Sequence, residues 1–117
     1  MWTSPKPQDR WSDRETFSFL REIHTRFKHG SFTWNPPSVG ANTTVDTTLT
    51  TSDAAVLEGL RAGMAVTVTP PSTLDTGLTV GGAWVATDDT LTIRLGNLTA
   101  GAINPASGTW VFMGVIV

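Results

Sequence analysis

Apolar and polar positions alternate along most of the chain beyond residue 30, which is the pattern of half-buried strands. Three such runs occupy residues 77–86, 90–99 and 109–117 and are separated by an acidic turn and a Gly- and Pro-containing turn. Three shorter runs precede them, at residues 32–34, 43–50 and 64–69. Strands that recur at short intervals with turn signals between them predict a mainly β protein, a small antiparallel β-sandwich or barrel of about six strands.

In the segment before these strands, the apolar residues recur with the period of an α-helix. Ser12-Asp13-Arg14-Glu15 fits a capping box at a helix start. Apolar positions then recur on one helical stripe: Phe17, Leu20, His24 and Phe27. The pattern predicts one N-terminal amphipathic helix from residue 12 to about 28, with Gly30 as its stop. We therefore divide the chain into an arm and helix for docking or oligomerisation, residues 1–30, and an antiparallel β-domain, residues 31–117.

The last predicted strand is apolar on both of its faces. Trp110, Phe112 and Ile116 lie on one side, and Val111, Met113, Val115 and Val117 lie on the other. In an antiparallel strand with one solvent-exposed face, apolar and polar residues should alternate. This strand therefore lies centrally between two layers, or its second face is buried by another subunit. We favour the subunit. The predicted interface residues are Trp110, Phe112, Met113, Val115 and Val117.

Composition narrows the functional classes. The chain has 117 residues, a formal net charge of −2 and 15% charged residues, so one domain without a nucleic-acid-binding footprint is expected. Cysteine is absent, which excludes disulfides, thiolate zinc sites and cysteine nucleophiles. No run approaches the roughly 18 apolar residues of a membrane span, and the N-terminus lacks the apolar core of a secretory signal. We expect a protein made in a cytoplasm, with no membrane insertion.

Candidate chemistry is sparse. His24 lies in the apolar stripe, and no partner at ligand spacing completes a metal site, although a three-fold axis would gather three copies of it around an ion. Asp88 and Asp89 are adjacent and predict a hairpin turn rather than an acid/base pair. Arg94 is expected to pair with Asp46, with Asp75 or with that turn, within the chain or across subunits. We predict no enzyme, no cofactor and no metal.

Four segments of the β-domain resemble a small β-domain at the C-termini of many tailed-bacteriophage virion proteins, of the tail-fibre, head-fibre and capsid-decoration type. They are an extended opening at residues 32–39, a threonine-rich strand at 43–50, a strand ending in prolines at 63–71, and the most specific stretch at 83–110. This last stretch has the pattern AWV-x-x-x-DT-x-T-x-R-x-x-N-x-T-x-x-x-I-x-PASGTW. Residues 54–63 are longer than the usual Gly-Ala-x-x-Gly-Asp turn of these domains, and residues 1–30 carry no resemblance.

The resemblance implies a virion structural protein, made in the host cytoplasm, that forms a homotrimeric fibre or capsid-decoration (cement) component beside other virion proteins of capsid or tail. Docking to the particle would use the arm and helix, through Trp2, Trp11, Phe17, Leu20 and Phe27. An alternative is a receptor- or carbohydrate-binding tip of a tail fibre, which would bind a host surface glycan through the loops at residues 70–77 and 100–108.

Overall fold

The structure, a computed structural model, describes residues 27–116. Six strands form in this range: β1 (Phe27–Trp34), β2 (Thr44–Leu49), β3 (Ala65–Thr69), β4 (Leu78–Trp84), β5 (Leu91–Asn97) and β6 (Gly108–Val115). A single 3-10 turn, Ala55–Leu57, lies between β2 and β3. The prediction of a mainly β fold with about six antiparallel strands is therefore confirmed.

The strands form two three-stranded sheets, with the orders β1–β6–β3 and β2–β5–β4, and every pairing is antiparallel. Their inner faces share one core, as expected where alternating strands turn their apolar positions inward. Trp110 and Phe112 fill it from β6, and Leu91, Ile93 and Leu95 fill it from β5, each at most 1% exposed. β3 of the first sheet also contacts β4 of the second.

Two aromatic contacts lie in the part of the core formed by β1 and β6. Trp34 meets Trp110 edge to face, with ring centroids 4.9 Å apart, and Phe32 lies 6.2 Å from Phe112. Trp110 opposes Phe32 in the β1–β6 register, so these rings fill neighbouring positions of one sheet. Aromatic burial of this kind is a large part of what stabilises a domain of this size.

The predicted N-terminal helix of residues 12–28 lies outside the described residues, except for its last two. Phe27 and Lys28 belong to β1, so for them the prediction is wrong. Gly30, predicted as the helix stop, is an interior residue of the same strand, opposite Phe112. A Cβ at Gly30 would overlap the Val56 side chain, so the glycine allows β1 to pack closely against the 3-10 turn. β1 consequently crosses the boundary placed between residues 30 and 31.

Candidate functional site

The outer face of the β1–β6–β3 sheet carries an exposed apolar stripe. We call it the β6 face; the residues that lie on it are Phe27, His29, Ser31 and Thr33 of β1, Ala65, Thr67 and Thr69 of β3, and Thr109, Val111, Met113 and Val115 of β6. The middle strand is apolar, with Val111 45%, Met113 50% and Val115 39% exposed. The strand order puts this apolar strand at the centre of the sheet, where both neighbours hold its backbone.

Cross-strand rows show how narrow the stripe is. Val115 lies between Phe27 and Ala65, and this row is apolar throughout. The next two rows place His29 and Thr67 around Met113, and Ser31 and Thr69 around Val111. A depression of about 200 Å³ opens beside Phe27, Met113 and Val115. Apart from its end at Phe27, the β6 face is therefore one apolar strand wide, with polar flanks.

The residues predicted for a subunit interface divide between the two faces of β6. Trp110 and Phe112 lie in the chain's own core, both 0% exposed, and offer no surface to a second chain. Met113 and Val115 point outward on the β6 face, and Val117 lies outside the described residues. The apolar pattern on both sides of β6 thus has two separate causes, an internal core and an exposed stripe. Val111, which belongs to that stripe, was not among the predicted interface residues.

Of the predicted docking residues, only Phe27 falls within the described range. Phe27 is 38% exposed, and its ring centroid lies 5.4 Å from that of His29 on the β6 face. Trp2, Trp11, Phe17 and Leu20 lie outside the described residues, as does His24, so the three-fold metal hypothesis stays a prediction.

The outer face of the β2–β5–β4 sheet is polar and is centred on an ion pair. We call it the β5 face; it carries Thr44, Asp46 and Thr48 of β2, Thr92, Arg94 and Gly96 of β5, and Thr79, Gly81 and Trp84 of β4. Arg94 donates from Nε and Nη2 to the two carboxylate oxygens of Asp46, at 2.7 and 3.0 Å. Its guanidinium carbon lies 5.1 Å from the ring centroid of Trp84. Of the three partners predicted for Arg94, the register selects Asp46.

This ion pair shifts the pKa values of both Asp46 and Arg94. The hydrogen bond from Arg94, helped by its charge, holds the pKa of Asp46 below its ordinary value, against an opposing desolvation. The Asp46 carboxylate in turn raises the pKa of Arg94. Because both side chains are almost half exposed, the pair orients the guanidinium more than it stabilises the fold.

The Asp88–Asp89 turn connects β4 to β5, as predicted, and also fixes the loop before β3. The Asp88 carboxylate accepts from the Ala62 amide at 3.0 Å. The Asp89 carboxylate accepts from the Gly59 amide at 2.8 Å and from Arg61 at 3.1 Å. Both carboxylates are thus occupied by backbone donors, and their role here is to hold a loop.

Asn97 is the buried polar residue that the sequence patterns did not single out as structural. It matches a glycosylation acceptor with Thr99, yet it is 2% exposed, and its side chain makes four hydrogen bonds within the chain. A glycan could not be attached to an amide so enclosed. The signal available in the sequence was its place in the 83–110 pattern together with Arg94 and Trp110.

Residues 27–116 contain no group of three or more His, Asp or Glu side chains placed to hold a metal ion. Over the same range, no helix is long and apolar enough to cross a membrane. Compared with known protein families, curated proteins and solved structures, the chain has no significant match.

Proposed function

We propose that this chain is a structural protein of a bacteriophage virion, a fibre or capsid-decoration component that assembles as a homotrimer through the β6 face. The observation that supports it best is the exposed stripe of Val111, Met113 and Val115 at the centre of a sheet. Covering such a stripe removes apolar surface from water, which stabilises by roughly 25 cal/mol per Å² before the costs of association. The virion setting comes from the resemblance of residues 31–117 to phage β-domains.

The chemistry of the β6 face favours a second copy of this chain as its partner. On a symmetry axis each residue meets its own copies, so a charged residue there would face a like charge. Among the residues of the β6 face, none is Asp, Glu, Lys or Arg, and His29 alone is ionisable. Lys28, the residue before His29 in β1, points to the opposite side of the strand and so does not lie on the β6 face.

The width of the stripe favours a three-fold arrangement. Two sheets stacked in a dimer would bury the whole of both faces, including the Ser31, Thr67 and Thr69 flanks. Three sheets around an axis parallel to β6 bring the middle strand of each closest to the axis and leave the flanks more open. One apolar strand with polar neighbours fits that second geometry. Docking to the particle would then fall to the arm, through Trp2, Trp11 and Phe17.

Light scattering after size exclusion of the full chain tests the assembly. The wild type is expected at three times its 12.5 kDa chain mass. The double variant Val111→Thr/Met113→Ser should be a folded monomer by far-UV circular dichroism. Leu98→Thr is the matched control, because Leu98 is 72% exposed and lies off the β6 face; it should remain a trimer. A monomeric wild type, or a double variant that stays trimeric, would overturn the β6 interface.

The virion role requires a separate measurement on particles. Peptides of this chain should be found by quantitative mass spectrometry in gradient-purified particles of the phage that encodes it, in a copy number divisible by three. The triple variant Trp2→Ala/Trp11→Ala/Phe17→Ala should still form trimers yet be lost from the particles. Presence in the lysate without presence in particles would contradict the virion role, and full retention of the triple variant would contradict docking by the arm.

A further inference from the structure

The two flanks of the β6 face differ in size at one end. In the row that crosses Val115, β1 contributes Phe27 and β3 contributes Ala65. Both side chains are exposed, and Phe27 is the only large apolar residue on either flank of the β6 face. A large side chain therefore lies on one side of this row and a small one on the other.

A depression adjoins the small side of this row. Its volume is about 200 Å³, and it is lined mainly by residues 65–67 of β3 and 113–115 of β6, and also by Phe27. Ala65 has only a methyl group, so it does not fill the space beside Val115. The ring of Phe27 lies next to the ring of His29, with centroids 5.4 Å apart. The chain's own side chains thus leave an apolar hollow on the β3 side of the face.

A rotation axis parallel to β6 brings the two unlike flanks together. β1 and β3 both run antiparallel to β6 and lie on opposite sides of it. Rotation about such an axis leaves each residue at its own height along β6 and turns the β1 flank of one copy toward the β3 flank of the next. The flanks therefore meet row by row, and each copy offers both halves of the same contact.

We propose that in the assembled trimer Phe27 of each copy packs into the depression beside Ala65 of the next copy. This contact rests on the trimer proposed above and sets the register in which the copies meet. The ring fills space that the alanine leaves, which gives the dense packing found in the cores of stable interfaces. Because a head-to-tail contact of this kind repeats from copy to copy, three of them close a ring.

The next two rows match in polarity. His29 would face Thr67 of the next copy, and Ser31 would face Thr69 of the next copy. Hydroxyl groups and a neutral imidazole both donate and accept hydrogen bonds, so each of these rows can pair across the interface. A shift of the copies by one row would instead place Phe27 against Thr67 or His29 against Ala65. Apolar burial and hydrogen bonding thus favour the same register.

Introduced thiols test this register directly, because the chain contains no cysteine. His29→Cys/Thr67→Cys keeps both Phe27 and Ala65, and under mild oxidation it should give a ladder that ends at three copies on a non-reducing denaturing gel. A disulfide within one chain is excluded, since two strand spacings, roughly 10 Å, separate the positions and a disulfide needs Cα atoms within about 7 Å. Each single variant alone should form no crosslink, because like positions do not meet.

The matched control for the ladder is Thr33→Cys/Thr67→Cys. Thr33 lies on the same flank as His29 but four positions, roughly 13 Å, further along β1. Row-by-row contact keeps its thiol away from position 67 of the next copy, so this variant should remain uncrosslinked.

An exchange of sizes tests the packing of Phe27 without oxidation. Ala65→Phe sets two rings against each other and should raise the concentration at half assembly by roughly tenfold or more. Phe27→Ala/Ala65→Phe should recover most of that loss, since the ring then projects from the other flank. Ala102→Phe, at an exposed loop alanine off the β6 face, is the matched control and should leave assembly unchanged. Far-UV circular dichroism checks that each variant is folded.

A ladder that ends at three copies, together with recovery by the exchanged pair, would support the contact. If the wild type is trimeric, three results would overturn the contact and leave the trimer standing: no crosslink between positions 29 and 67, equal crosslinking of the control, or no recovery by the exchanged pair. A ladder that ends at two copies or continues past three would overturn the three-fold ring. A monomeric wild type would overturn both proposals.

Discussion

The side-chain amide of Asn97 donates a hydrogen bond of 3.0 Å to the carbonyl oxygen of Val39, 58 positions earlier in the chain. The same nitrogen donates to the Gly101 carbonyl at 2.8 Å, and Oδ1 accepts from the backbone and hydroxyl of Thr99 at 2.9 and 2.7 Å. Val39 also forms an isolated bridge with Ile103. One buried amide thus joins the loop after β1 to the loop between β5 and β6.

Replacing Asn97 with Ala should destabilise the domain by about 2–4 kcal/mol, because it leaves several enclosed backbone groups without partners. Urea unfolding followed by tryptophan fluorescence measures the change. Asn35→Ala, at an exposed asparagine of the same loop region, is the matched control and should cost less than about 0.5 kcal/mol. Equal stability of the two variants would show that the Asn97 bonds do not hold the loops.

The strands and the β4–β5 hairpin could be predicted from the sequence because their signals are local. Alternation over residues 90–99 and the adjacent acidic pair at 88–89 are sufficient to place β5 and its turn. The Asn97 network could not be predicted in this way, since its partners lie both 2 and 58 positions away. The sequence signal was the place of Asn97 in the 83–110 pattern, and its Asn-x-Thr spacing with Thr99 also fits a glycosylation acceptor.

Two further features required the tertiary structure. β6 is apolar on both sides, so the sequence pattern alone could not show which side is core; packing against the second sheet buries the side of Trp110 and Phe112. The start of β1 was misassigned because Phe27 continues a helical stripe and Gly30 is a typical helix stop. The partner of Arg94 likewise depended on register, since several carboxylates were available and only Asp46 lies opposite it.

Gly30→Ala should destabilise the domain by about 1–3 kcal/mol. The added methyl would overlap the side chain of the half-buried Val56 and would lie 3.3 Å from Cε1 of the fully buried Phe112, so at least one neighbour would have to shift. Gly101→Ala is the matched control, because nothing lies within 4 Å of a Cβ built there. Thermal unfolding of both variants measures the difference, and the expectation fails if Gly30→Ala unfolds at the same temperature as Gly101→Ala.

Asp89 should contribute to an acid-dependent loss of stability. The hydrogen bond from the Gly59 amide, and then the bond and charge of Arg61, hold the pKa of Asp89 below its ordinary value near 3.8, against an opposing desolvation. A carboxyl with a lower pKa in the folded state stabilises fully above the unfolded value, and that contribution is lost as the pH falls through the folded value. Stability should therefore decline below about pH 4.

The Asp89→Asn variant isolates this contribution. Asparagine tolerates the left-handed backbone of position 89, where φ is 63°, and it keeps one acceptor oxygen. Urea midpoints between neutral pH and about pH 2.5 should therefore fall less steeply than those of the wild type. Adding Asp46→Asn should flatten the profile further, because the pKa of Asp46 is lowered by Arg94. A double variant with the wild-type pH profile would assign the acid sensitivity to other carboxyls.

Trp110→Phe should cost far less stability than Trp110→Ala. Trp110 is 0% exposed, and within residues 27–116 its indole nitrogen has no hydrogen-bond partner, so phenylalanine removes a donor that stabilises nothing and keeps a ring against Trp34. We expect about 1–2 kcal/mol for Phe, from the smaller volume, and about 3–5 kcal/mol for Ala.

Urea unfolding of the two variants measures both losses of stability. It is followed by far-UV circular dichroism, because replacing Trp110 alters the tryptophan fluorescence itself. Trp84→Phe is the control for loss of an indole outside the core and should cost less than about 1 kcal/mol. Similar costs for Trp110→Phe and Trp110→Ala would mean that the indole N–H is satisfied after all, by an enclosed water bonded to it.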